Sequence, residues 1–315
     1  LRESQEQDML LATFSMASEG MDIPKLNTVI LASPKSDVEQ SVGRVFRKKA
    51  CDRSFHPLII DIQDQFSINN KKINFDMELF RQQFFNSIEA EDLNNIKSLI
   101  TSLIESFAKV TNQTEKIPVV KETSIEIYAS ELKRYFPEAK FIHLIRDPRD
   151  NYAALKSGVK VHYKHLGEDE NKTLASMIYR SRFGLEMGLL NQKIFGGRSY
   201  KTVKFETLVK QTEGLMVDIS EYLEIDYHKN LLQPTSFSEP VKGNNFDGKT
   251  FSKVSTKNLN RWTERIHSTE AKIIEFQLGS LMEQYGYKLN YERSESANAE
   301  SEFYKWENYK YYFSD

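Results

Sequence analysis

Apolar positions along this chain follow two rhythms. Short, nearly unbroken apolar runs mark strands at 28–32 (TVILA), 57–61 (PLIID), 117–120 (IPVV), 141–145 (FIHLI) and 200–205 (YKTVKF). The run at 141–145 is interrupted only by His143 and bounded by charge, so it reads as a buried parallel strand. Elsewhere the apolar residues recur at helical spacing. Residues 75–88 carry Met77, Leu79, Phe80, Phe84 and Phe85, and residues 93–110 carry Ile96, Leu99, Ile100, Leu103, Ile104 and Phe107. These predict two amphipathic helices whose aromatic stripe belongs to a core. Further helices are predicted over 125–136, stopped before Pro137, and over 177–191, 213–223 and 273–285. Strands alternating with helices predict an α/β fold, a parallel sheet with helices on both faces.

Candidate chemistry concentrates in residues 140–158, KFIHLIRDPRDNYAALKSG. The strand is followed at once by Arg146, Asp147, Pro148, Arg149 and Asp150. Pro148 suits the first turn of a helix, which Tyr152, Ala153, Leu155 and Lys156 continue. Two guanidinium groups therefore stand at the carboxyl end of a strand, beside a helix N-terminus. Ligands of open α/β sheets bind there, anions are favoured there, and arginine forks match phosphate oxygens.

Strand, RDPRD and helix together resemble the 3′-phosphate-binding segment of sulfotransferases, which use the donor PAPS (3′-phosphoadenosine 5′-phosphosulfate). The resemblance extends over about residues 73–290. It implies a P-loop-NTPase-like parallel sheet flanked by helices and transfer of a sulfuryl group to a hydroxyl (or tyrosine) acceptor, with PAP as product and no metal. By that resemblance Arg146 contacts the 3′-phosphate, with Arg149 beside it. The family's helix serine falls where this chain has Ala154, leaving Ser157, one turn further on, as the substitute. Lys121, at the end of the 117–120 strand, matches a lysine that stabilises the leaving phosphate oxygen. Glu122 beside it is a general base only if it points into the pocket. YKTVKFETL resembles the strand before the family's helix-capping YEDL. Asn244 and Lys249 fall in a loop that family members close over the cofactor, ahead of a helix with a tryptophan, here Trp262. The Gly-Ser-Thr loop that grips the 5′-phosphosulfate has no counterpart upstream of Lys121. The resemblance thus implies a nucleotide site whose transfer step is impaired by at least ~3 kcal/mol. A module holding PAP or a sulfated ligand without turnover is the non-enzymatic alternative.

The N-terminal segment carries a second resemblance. ATFSMASEGMDIP and QSVGRVFR are similar to motifs V and VI in the second RecA-like domain of superfamily 2 helicases, of the viral DEAD/DEAH type, over about residues 9–66. Gly20 and Asp22 match the first motif. Gln40, Arg44 and Arg47 match the second and share a helical face. Arg44 and Arg47 would offset charge on the transferred phosphoryl group of ATP. Walker A, the DEAD/DEAH carboxylates and the first RecA lobe have no counterpart, so a helicase fragment would need ATP and nucleic acid to meet a complementary lobe supplied elsewhere. A fusion, a recombination product and an assembly artefact each account for the join.

GNNFDGKT at 243–250 fits the Walker A expression letter for letter, yet lacks the buried strand before and the helix after that a P-loop needs. His162 and His165 have the spacing of a helical metal pair without a third ligand, and a surface pair is the simpler reading. A length of 315 residues and a polar break at Asn69–Lys72 divide the chain into a helicase-like segment 1–70, a sulfotransferase-like domain 71–290 and a flexible tail 291–315. A net charge of −2 supplies no bulk attraction to nucleic acid. Cys51, the single cysteine, has no internal partner. No apolar run spans a bilayer and no secretory signal is evident, which predicts a cytoplasmic protein without a membrane partner. The start at Leu1 reads as that of a fragment or of a product begun elsewhere.

Overall fold

A computed structural model describes residues 28–31, 58–61, 75–89, 95–121, 124–159, 170–236, 239–240 and 253–305. The chain divides into two compact units, Leu1–Val120 and Lys121–Asp315.

In the first unit β1 (Thr28–Leu31) and β2 (Leu58–Asp61) pair in parallel, Thr28 opposite Leu58. Both lie where the apolar runs put them. Gly20, Asp22, Gln40, Arg44 and Arg47 lie outside the described residues. Helices α1 (Met77–Glu89) and α2 (Ile96–Val110) follow the helical spacing. Asn95 starts α2 by accepting the Lys97 N–H on its side chain, a cap that offsets an otherwise orphaned donor. Phe80, Phe84 and Ile88 form the buried stripe of α1, and Phe75 stacks on Phe107 at 5.5 Å between centroids. The aromatic stripe is core, as its spacing indicates.

Residues 117–120 depart from expectation: they form no strand. Ile117, Val119 and Val120 are 69%, 85% and 62% exposed. Apolarity alone does not make a strand, because a strand needs a neighbour to receive its backbone groups. Lys121 is accordingly an exposed residue of an irregular segment rather than a strand end.

The second unit is built on one βαβ arrangement. A 3₁₀ turn (Ile125–Tyr128) and α3 (Ala129–Tyr135) lead to β3 (Phe141–Ile145). Helices α4 (Pro148–Val159) and α5 (Glu170–Ser199) then connect it to β4 (Tyr200–Lys204). β3 and β4 pair in parallel from Phe141–Tyr200 to Ile145–Lys204. α5 continues well beyond the 177–191 expected, with a break at Gly196, where φ is +64°. β3 is not buried on both faces as predicted: Ile145 is buried, whereas Ile142 and Leu144 are 41% and 52% exposed. Its inward row, Phe141, His143 and Ile145, faces the helices, and the Tyr200 hydroxyl lies 3.0 Å from His143 Nδ1.

After β4 come α6 (Phe205–Lys210), α7 (Thr212–Leu223), the one-turn α8 (Trp262–Arg265), α9 (Ser268–Gln284) and α10 (Arg293–Lys305). The core joins Ile145 and Tyr152 to Leu174, Ile178 and Leu185 of α5 and to Ile273, Ile274, Leu278 and Met282 of α9. Residues 293–305, expected within a frayed tail, are helical, and Ala299 is buried in this core. Ahead of 243–250 stands a two-residue antiparallel ladder, Thr235–Ser236 with Glu239–Pro240, rather than a parallel strand.

Candidate functional site

The site is built where β3 and β4 both end. Asp147 is the N-cap of α4: its Oδ1 accepts the Arg149 N–H at 2.9 Å, and its carbonyl accepts the Asn151 N–H. Pro148 occupies the first helical position, where a missing N–H costs nothing. Strand, turn and helix therefore follow from the local sequence.

The two arginines of the turn have different fates. The Arg149 guanidinium is 5% exposed, and all five of its N–H groups have protein acceptors. Nε donates to Asp147 Oδ1 at 3.0 Å and Nη2 to Asp147 Oδ2 at 2.6 Å, a bidentate fork. Nη1 donates to Glu275 Oε1 and to Asn290 Oδ1, and Nη2 also to the Lys288 carbonyl. Its face lies over Trp262 at 4.5 Å. Burial opposes its charge, but the bonds and charges of Asp147 and Glu275 more than offset this and hold it ionised above its ordinary range. Arg149 has no donor left for a phosphate. Its expected place beside Arg146 in ligand binding becomes a structural one, tying α4 to α9 and to residues 288–290.

Arg146 keeps donors in reserve. Its Nη2 donates to the Asn258 carbonyl at 2.9 Å, and its guanidinium lies 4.8 Å over the Phe205 ring. Its Nε is buried and has no hydrogen-bond partner among the described residues. A buried, unpartnered guanidinium N–H is costly unless something occupies it.

Asp150 is 1% exposed and grips the segment facing Arg146. Its Oδ2 accepts the Asn260 N–H at 2.7 Å and its Oδ1 the Trp262 N–H at 3.0 Å. Burial pushes its carboxyl up, against the pull of those two N–H groups and of the Arg146 charge. Asn260 stands at φ +56°, a conformation asparagine tolerates. Glu206 staples the two strand ends: Oε1 accepts the Asp147 N–H at 2.9 Å and Oε2 the Tyr287 hydroxyl at 3.0 Å. It does not cap α6, the role its YEDL-like context suggested, since that helix starts without a side-chain cap.

Ser157 is not at the site. It lies about 13 Å along α4 from Pro148, at 1.5 Å per residue, and its hydroxyl donates to the Ala153 carbonyl of its own helix at 2.9 Å. Lys121 has no ordered strand to bring it to the turn. Glu122, Asn244, Lys249, His162 and His165 lie outside the described residues. Among the described residues no His, Cys, Asp and Glu cluster could hold a metal ion, and no helix is long and apolar enough to cross a membrane. Sequence reasoning missed Glu275 and Tyr287. It placed Asp150 in the RDPRD turn without a role, and Glu206 after the strand only as a helix cap. Glu275 and Tyr287 reach the turn from more than a hundred residues away.

The chain is similar to the following known proteins. A model of the sulfotransferase family matches residues 48–229, more than half of the chain. Two solved structures overlap 70% of the chain. One is the sulfotransferase domain from the curacin biosynthetic pathway, with 14% identity, 84% of that domain covered and a TM-score of 0.44. The other is the sulfotransferase domain of the Synechococcus PCC 7002 olefin synthase, with 18% identity, 80% covered and a TM-score of 0.46. A protein of Acanthamoeba polyphaga mimivirus, bearing the name of an ATP-dependent RNA helicase, is 40% identical over 90 residues, 27% of this chain. The match spans 16% of that protein's length.

Proposed function

The chain belongs to the sulfotransferase family, and from that premise we propose that it binds the 3′-phosphate of PAPS or PAP at Arg146 and serves sulfuryl transfer to a hydroxyl (or tyrosine) acceptor. The observation that carries this reading is the buried Nε of Arg146, a charged donor without a partner among the described residues, at the carboxyl end of β3 and beside the N-terminus of α4. Phosphate oxygens are the acceptors that such a group and a helix N-terminus both favour. PAPS would supply the sulfuryl group. The residues of this chain hold and orient its nucleotide end, with Arg146 as the direct contact and Asp147, Glu206 and Tyr287 fixing the turn from which it projects.

A second reading has its own support. Lys121 lies exposed on an irregular segment, and the sequence upstream of it carries no phosphosulfate loop. Nucleotide binding without efficient turnover is what those two features favour, so we expect binding by this chain to be far easier to detect than transfer. The helicase similarity supports only a proposal for the N-terminal segment, that Arg44 and Arg47 complete an ATP site with a lobe supplied by another chain.

Thermal unfolding with PAP, and with ATP as control, tests the main reading. A ligand at a hundred times its dissociation constant stabilises the folded state by about 2.7 kcal/mol. We expect that stabilisation with PAP, little with ATP, and its loss in Arg146→Ala. A folded wild-type chain indifferent to PAP overturns the proposal.

A further inference from the structure

Arg146 is held in place by a piece of chain more than a hundred residues away, and a carboxylate holds that piece. The Asn258 carbonyl takes one of the Arg146 N–H groups. Asn258 ends a 3₁₀ turn, Thr256–Asn258, all three of whose residues are exposed. Two residues on, the N–H groups of Asn260 and Trp262 converge on Asp150, one on each oxygen. Trp262 then packs with Ala153 and Ala271 and under Arg149. Asp150 sits in the first turn of α4, within a turn of Arg146.

We propose that Asp150 is a positioning residue for the phosphate site. It latches residues 258–262 onto the first turn of α4, so that the Asn258 carbonyl orients the Arg146 guanidinium and leaves Nε for the ligand. A polar group held in its bound orientation before the ligand arrives loses less freedom on binding, so the latch raises affinity without touching the ligand. Without it, the carbonyl and guanidinium lose their fixed relation. A carboxylate is required because both incoming groups are donors: an amide would turn one NH₂ toward a backbone N–H.

The inference rests on the reading that Arg146 binds the 3′-phosphate, and one titration set separates the two. The intact chain is titrated calorimetrically with PAP and with AMP, which lacks the 3′-phosphate, as wild type, Arg146→Ala, Asp150→Asn and the double variant. Backbone amide exchange at Asn260 and Trp262 is followed alongside. We expect the wild type to prefer PAP. Asp150→Asn should lower PAP affinity about tenfold, which is 1.4 kcal/mol, with AMP unchanged. The double variant should lose no more than Arg146→Ala, because the two act through one contact. Exchange at Asn260 and Trp262 should quicken in Asp150→Asn but not in Arg146→Ala. Gly188→Ala, a destabilising change away from the turn, should keep the PAP preference, which excludes a general effect of stability. A folded Asp150→Asn chain with full PAP preference overturns the latch while leaving the Arg146 reading intact. A wild-type chain that binds PAP and AMP equally overturns both. If Asp150→Asn does not fold, Asp150→Glu, which keeps the charge and displaces it by one methylene, meets the same two outcomes.

Discussion

Replacing Arg149 with methionine separates a structural arginine from a ligand-binding one. Methionine keeps much of the apolar stem and removes all five donors. Asp147 and Glu275, 7% and 2% exposed, would face each other's surroundings without their shared cation. Breaking a buried ion pair from one side costs about 3–5 kcal/mol. Neither carboxylate is stripped entirely. Asp147 keeps the backbone N–H of residue 149, and Glu275 keeps those of Asn290 and Tyr291. The loss should therefore fall near the lower end, about 3 kcal/mol, still a large fraction of a domain's usual 5–15 kcal/mol. Part of it is the lost stacking on Trp262. In urea, at a slope of about 1–3 kcal/mol per molar, the midpoint should fall by about 1–3 M. Circular dichroism would follow the transition, with PAP affinity measured on the folded protein. Arg149→Lys keeps the charge but loses the planar fork and should fall between the two. The reasoning is refuted if Arg149→Met loses less than about 1 kcal/mol, or if stability is kept while PAP binding disappears.

Other outcomes follow from the same structure. A Cβ at Gly188 would sit 2.5 Å from the Tyr285 hydroxyl and 2.7 Å from His143 Nδ1, so Gly188→Ala should cost about 1–3 kcal/mol in a thermal melt; an unchanged midpoint would contradict that packing. Glu270 accepts from Lys156, the Tyr152 hydroxyl and the His267 N–H. Burial alone would raise its carboxyl, but these partners hold it below the ordinary 4.5. A carboxyl lowered on folding contributes stability that is complete above its unfolded pKa and disappears as pH falls through the folded one. Glu270→Gln should therefore be less stable at neutral pH and lose less on acidification below 4.5, with urea midpoints across that range as the check. An equal acid loss in both proteins would place the effect elsewhere.

Much of this protein was legible in one dimension because its causes are local. The runs at 28–31, 58–61 and 141–145 became strands, and the stripe through Phe80 and Phe84 became the buried face of α1. Pro148 after a capping aspartate fixed the start of α4, and with it the corner that carries Arg146. What local pattern could not decide was partnership. The run at 117–120 is as apolar as the others, but no described residue pairs with it as a strand, so Lys121 loses the position its sequence context implied. The tail looked polar enough to fray, yet Ala299 finds the core through α10.

The sharpest case is RDPRD itself. By composition and spacing alone Arg146 and Arg149 are equivalent guanidinium groups beside one helix end, and only the family resemblance pointed to Arg146. Tertiary structure distinguishes them by bringing Glu275, Lys288 and Asn290 to Arg149, and the Asn258 carbonyl and the Phe205 ring to Arg146. A buried charge must be paired, so the arginine that met two carboxylates became part of the fold. The other keeps a buried N–H without a partner among the described residues. Composition and periodicity determined that a basic turn would stand at the end of a strand. Which arginine stayed available was decided by contacts closing over more than a hundred residues, where no sequence period reaches.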